Sequence, residues 1–85
     1  MAYTIHLEHR AERDLRRLPQ DVVRRLDAVF QQLAENPRPD GIVKLSGKTS
    51  SGWRVRVGDY RILYRIEGSR IEVYRITHRR DAYRR

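Results

Sequence analysis

Tyr3, Ile5 and Leu7 alternate with Thr4, His6 and Glu8, the period-two pattern of a half-buried strand. Ala11, Leu15 and Leu18 then recur at helical spacing among charged residues. Pro19 interrupts, in a place that suits a first helical turn. From there Val22, Val23, Leu26, Val29, Phe30 and Leu33 form a wide apolar stripe that must stop at Asn36-Pro37. Pro37-Arg38-Pro39-Asp40-Gly41 is a loop by composition. Lys44 to Gly52 holds either a short strand or a looser connection. Trp53, Val55 and Val57 alternate with Arg54 and Arg56, and Gly58-Asp59 supplies a turn. Tyr60, Ile62, Tyr64 and Ile66 alternate with Arg61, Leu63, Arg65 and Glu67. Gly68-Ser69 makes another turn, and Arg70 to Ile76 reads as a last strand. The order β-α-α-β-β-β predicts one α+β domain over residues 1–85. Its small, antiparallel-dominated sheet carries a two-helix hairpin on one face.

Eighty-five residues supply one small core, and no cysteine means no disulfide framework and no thiolate metal site. The three histidines, His6, His9 and His78, show no metal-binding spacing, so neither a metal nor a cofactor is expected. No signal-like segment and no run of membrane-spanning length occurs, and a cytoplasmic protein with no membrane contact is expected. Charge changes the picture more. Residues 1–43 carry seven basic and seven acidic side chains, whereas residues 44–85 carry twelve basic and four acidic ones. The whole net charge of +8 therefore sits in the second half, which favours a polyanion as partner.

Two basic-aromatic clusters stand out in that half: residues 53–61 and residues 78–83. If Trp53, Val55 and Val57 face the helices, Arg54 and Arg56 face away, and Arg61 and Arg65 of the next strand join them. Four guanidiniums on one face repel each other unless an anion relieves them, and arginine matches phosphate oxygens in a bidentate way. The bland alternative is a solvated face whose arginine stems cover apolar surface. In the second cluster His78 can move a proton near neutral pH, Arg79 or Arg80 can hold a phosphoryl oxygen, and Tyr83 can stack on a base. Lys44 and Lys48 add positive charge to the stretch before the first cluster.

In the order and spacing of these segments the chain resembles the RelE/ParE superfamily of bacterial and archaeal toxins, on the RelE ribonuclease side. The likeness runs from the opening strand and the hairpin ending at Asn36-Pro37, through Lys44-Leu45-Ser46-Gly47 and residues 53–64, to residues 78–84. It implies a microbial RNase fold and cleavage of messenger RNA in the ribosomal A site. It also implies a cognate antitoxin in a heteromeric complex. Matching positions make Arg61 and Arg79 the phosphate-stabilising arginines and Tyr83 the aromatic that orients substrate. Arg54 and Arg56 fall where some members carry lysine, and arginine is a poor base. His78 is then the expected acid-base residue, with Lys44 or Lys48 behind it. Lys44, Lys48, Arg54, Arg56, Arg65 and Arg80 are expected to bind RNA. A ParE-like inhibitor of DNA gyrase, acting by protein binding alone, is the competing expectation. A catalytically silent relative that binds nucleic acid or antitoxin is the third.

Overall fold

The structure, a computed structural model, describes residues 2–39, 41–45 and 52–78. Its elements are β1 (Thr4–Leu7), α1 (His9–Arg16), α2 (Gln20–Glu35), β2 (Val43–Leu45), β3 (Gly52–Val57), β4 (Tyr60–Glu67) and β5 (Arg70–His78). The expected α+β class holds, with one addition. The segment that begins at Lys44, open between strand and connection on sequence grounds, gives Lys44 and Leu45 to the three-residue edge strand β2. The sheet therefore has five strands, in the order β1-β5-β4-β3-β2. β2 to β5 are antiparallel neighbours, joined at β3–β4 and β4–β5 by two-residue turns. β1 lies parallel to β5, a pairing open to it because the helices return the chain before the meander begins.

α2 buries Val22, Leu26, Phe30 and Leu33, which share one helical stripe, together with Ala34. They meet Ile62 and Tyr64 of β4 and Ile71, Val73 and Ile76 of β5, with Ala11 of α1 in the same cluster. Trp53, Val55, Val57, Tyr60 and Ile66 pack against this core, as their alternation predicts. Pro19 takes the N-cap of α2, one residue earlier than expected, where its extended ψ of 154° suits the entry to a helix. Asn36 ends α2 in extended geometry (φ −145°, ψ 101°), the conformation that a following proline imposes. The loop beyond is tied down by Tyr64, fully buried, whose hydroxyl donates to the Pro37 carbonyl at 2.7 Å. Burial pushes the Tyr64 pKa up to about 12, against the pull of Arg38.

β5 is not a regular strand. Leu63 faces Arg75 and Tyr64 faces Val73, so Tyr74 is an extra residue opposite that step of β4. The bulge follows from the sequence Ile71, Val73, Ile76, whose apolar spacing lengthens by one after Val73. It lets Ile76 reach the core, and it reverses the faces expected for everything after it. Beyond Val73, β1 no longer covers the outer edge of β5. α1 closes that gap. One carboxylate oxygen of Asp14, Oδ2, accepts both the Ile76 backbone N–H and Arg75 Nε, each at 2.9 Å.

Candidate functional site

The pairing of β3 with β4 sets Arg54 opposite Leu63 and Arg56 opposite Arg61. Directly opposite residues share a face. Arg54, Arg56 and Arg61 thus lie together on the face turned away from the helices, as the alternation predicts. Their environments differ. Arg56 is exposed and Arg54 half-buried, while Arg61 is only 4% exposed. Among the described residues no carboxylate pairs with Arg54 or Arg56. Arg56 and Arg61 are like charges with β-carbons about 5 Å apart, a pairing that destabilises a sheet by itself.

Arg65 shares that face but is engaged in the fold. Its Nη2 meets Glu8 Oε2 at 3.1 Å, and its guanidinium lies over the Tyr74 ring, 4.4 Å from the centroid. Burial raises the Tyr74 pKa, with Arg65 opposing and Glu8 reinforcing the shift. The Tyr74 hydroxyl is buried without a hydrogen-bond partner among the described residues. A second acid sits beside this group. Glu72, 5% exposed, accepts His6 Nδ1 at 2.7 Å and Arg70 Nε at 2.5 Å, and also pairs with Arg70 Nη2. The His6 hydrogen bond, then Arg70, hold the Glu72 carboxyl below its usual range, against the cost of burial. The β1–β5 end of the arginine face is thus internally neutralised, whereas Arg54 and Arg56 at the other end have no carboxylate partner among the described residues.

Two expected site residues lie on the other face. Lys44 is opposite Trp53, and its ammonium stands 5.8 Å from the indole centroid, with Arg38 at 5.5 Å. Lys44 therefore belongs with Trp53 on the helix side, not with the arginines. His78, the expected acid-base residue, is opposite Tyr60 and meets that ring edge-on at 5.0 Å. Thr77, not His78, is the β5 neighbour of Arg61. The bulge at Tyr74 is the cause, since it shifts the alternation of β5 by one. Lys48, Arg79, Arg80 and Tyr83 lie outside the described residues. Glu8, Asp14, Arg38 and Tyr74 matter here without any sequence signal that pairs them. Only the broken apolar spacing in β5 foreshadowed the bulge.

A face with three converging guanidiniums, two of them without a carboxylate among the described residues, can grip a polyanion and stabilise charge that builds on it. Among the described residues no three His, Cys, Asp or Glu side chains converge to hold a metal ion, and no helix is long and apolar enough to cross a membrane.

The fold is that of a small type II toxin. The family model described as ParE toxin of type II toxin-antitoxin system, parDE, matches residues 5–83, and the chain belongs to this family within the RelE/ParE superfamily. Toxin RelG of Mycobacterium tuberculosis (strain ATCC 25618 / H37Rv) is 34% identical over 88 residues, with both chains covered completely. The archaeal RelE-RelB complex from Pyrococcus horikoshii OT3 contains a chain with a TM-score of 0.81 and 26% identity, covering 93% of this chain and 97% of that one. A chain of the toxin-antitoxin complex RelBE2 from Mycobacterium tuberculosis gives 0.80 and 27%, over 92% and 99%.

Proposed function

We propose that this toxin is a ribosome-dependent endoribonuclease that cuts messenger RNA in the A site and arrests translation in the cytoplasm. The observation that carries the reading is the Arg56–Arg61 pair with Arg54 beside it on the sheet face turned away from the helices. That repulsion is relieved by a phosphodiester, which needs charge stabilisation when the 2′-hydroxyl attacks phosphorus and the 5′-oxygen leaves. The products are a 2′,3′-cyclic phosphate and a 5′-hydroxyl. Arg61 binds the reacting phosphate, Arg54 and Arg56 hold the strand, and Arg79 and Tyr83 complete the site from the C-terminal segment. Arg65 and Arg80 add to the field that draws RNA in, and Lys44 and Lys48 serve its approach.

No metal or cofactor enters this scheme. With His78 on the helix side, catalysis rests on positioning and charge, and the A site supplies the surroundings in which protons are exchanged. A cognate antitoxin, in a heteromeric complex like those the P. horikoshii and M. tuberculosis relatives form, neutralises the toxin by covering the arginine face.

A second reading has its own support. The matching model is that of ParE toxins, and the β3–β4 end of the arginine face shows no proton-transfer residue among those described. A gyrase inhibitor would present the same arginines to acidic protein surface. Inducing the toxin and mapping mRNA 5′ ends separates the two. Cuts within codons, lost in Arg61→Ala and Arg79→Ala, support the ribonuclease. A DNA-damage response with intact mRNA overturns it in favour of gyrase.

A further inference from the structure

Positive charge does not stop at the edge of the arginine face. Arg56 precedes the β3–β4 turn, where Gly58 adopts a φ of +62°. A β-carbon at Gly58 would collide with the guanidinium of Arg25, so this arginine of α2 lies directly on the turn. Two residues further on, Tyr60 returns on the helix side against His78. Tyr60 and His78 line a cleft of about 170 Å3 with Leu18, Arg17 and Asp14. That volume is below the roughly 300–1,000 Å3 of small-molecule pockets, and suits a phosphate group better than a base. The carboxylate of Asp14 is already engaged by Arg75 and Ile76, and Asp59 stands exposed in the turn. Arg17 and Arg25 are exposed and have no carboxylate partner among the described residues. Positive charge thus runs from Arg56, over the turn at Gly58, to Arg25 and on to Arg17.

We infer that Arg25 and Arg17, with the Tyr60–His78 pair as the wall between them, form a second phosphate-binding stretch that takes the RNA backbone where it leaves the arginine face. The inference rests on the RNA reading of that face and extends it around the end of the sheet. It gives His78 a place beside bound RNA without asking it to reach the phosphate at Arg61. A single strand fits this path better than a duplex, because the path bends around the turn of a hairpin, from one face of the sheet to the other.

The test is equilibrium binding by full-length toxin of a single-stranded 12-nucleotide RNA with 2′-O-methyl sugars, which cannot be cleaved, over a range of salt. The Arg17→Ala/Arg25→Ala protein should bind about tenfold more weakly at physiological salt. Its plot of log affinity against log salt should be shallower by about 1.4, the loss of two single-strand phosphate contacts. A trinucleotide short enough for the arginine face alone should bind both proteins alike. The Arg17→Lys/Arg25→Lys protein should keep the wild-type slope. As a matched loss of charge, Arg10→Ala/Arg13→Ala removes two exposed arginines of α1 outside the cleft and should change the slope less. An unchanged slope in Arg17→Ala/Arg25→Ala overturns the inference while leaving the arginine face intact. So does an equal loss in the Arg10→Ala/Arg13→Ala control, or an equal loss of trinucleotide binding. Failure of the wild type to bind either RNA overturns the RNA reading of the arginine face and this extension with it.

Discussion

Arg61 and Arg65 stand four residues apart on β4 and point to the same side, yet they belong to different parts of the molecule. Arg65 has Glu8, carried in from the end of β1, and the Tyr74 ring raised by the bulge in β5. Arg61 has Arg56 directly across from it and Thr77 on its other side. The β1–β5 end of the face is a closed polar network that includes Glu72 with His6 and Arg70. The β3–β4 end concentrates like charge that the fold must tolerate. Stability alone favours the first arrangement, and the second fits the proposed partner, which carries the opposite charge. An arginine count over the second half of the chain merges the two.

The largest expected effect falls at the charged end. Arg61→Ala should lower the rate of mRNA cleavage on ribosomes by about 10²–10³-fold, the usual consequence of removing one group that stabilises transition-state charge. Because Arg61 is buried, Arg61→Lys provides a control that keeps the charge, and circular dichroism reports whether each variant is folded. Full activity in a folded Arg61→Ala protein would dissolve the contrast with Arg65.

Next comes the device that sets the faces of β5. Asp14→Ala removes the acceptor of the Ile76 N–H and the partner of Arg75. It should destabilise the protein by about 1–3 kcal/mol in urea denaturation, with a buried backbone donor left to find water. No measurable change would show that α1 does not hold the edge of β5.

Exchanging roles gives a sharper comparison of the two ends. Arg65→Ala should cost about 1 kcal/mol of stability through its ion pair and ring contact, and lower the affinity for RNA less than Arg56→Ala does. Arg56→Ala should do the reverse. Its stability is expected to hold or rise slightly, while its log affinity against log salt becomes shallower by about 0.7. Equal effects of the two on RNA binding would mean that the neutralised end also serves as interface.

The smallest effect is a dependence on acid. The Glu72 carboxyl is held below its unfolded range, so its contribution is present above the ordinary glutamate pKa. That contribution is lost as pH falls through the lower, folded value. Thermal unfolding should therefore show wild type losing stability toward low pH more steeply than Glu72→Gln. Parallel curves would remove Glu72 from the network.

Much of the architecture is legible in the sequence. The stripe on α2, the stop at Asn36-Pro37 and the two glycine turns are local: each follows from periodicity or backbone sterics within a few residues. The same holds for Arg54, Arg56, Arg61 and Arg65, since strand alternation needs only the strands and their register. Two side chains lie where pattern alone does not put them. His78 went to the helix side because the bulge at Tyr74 inserts a residue, and a shift of one turns every later side chain over. Lys44 went to Trp53 because its face depends on how β2 registers against β3, which no pattern within three residues can specify.

Local chemistry in the chain therefore decided which elements form, where they stop and which strands carry arginine. Tertiary structure alone decided which arginines face acids. Glu8 and Arg65 are 57 residues apart, and Asp14 and Arg75 are 61 apart. Such pairs meet only when β1 docks parallel to β5 and α1 closes the edge that β1 leaves. Electrostatic compensation depends on distance in space, and at these separations in sequence it becomes defined only when the chain has folded.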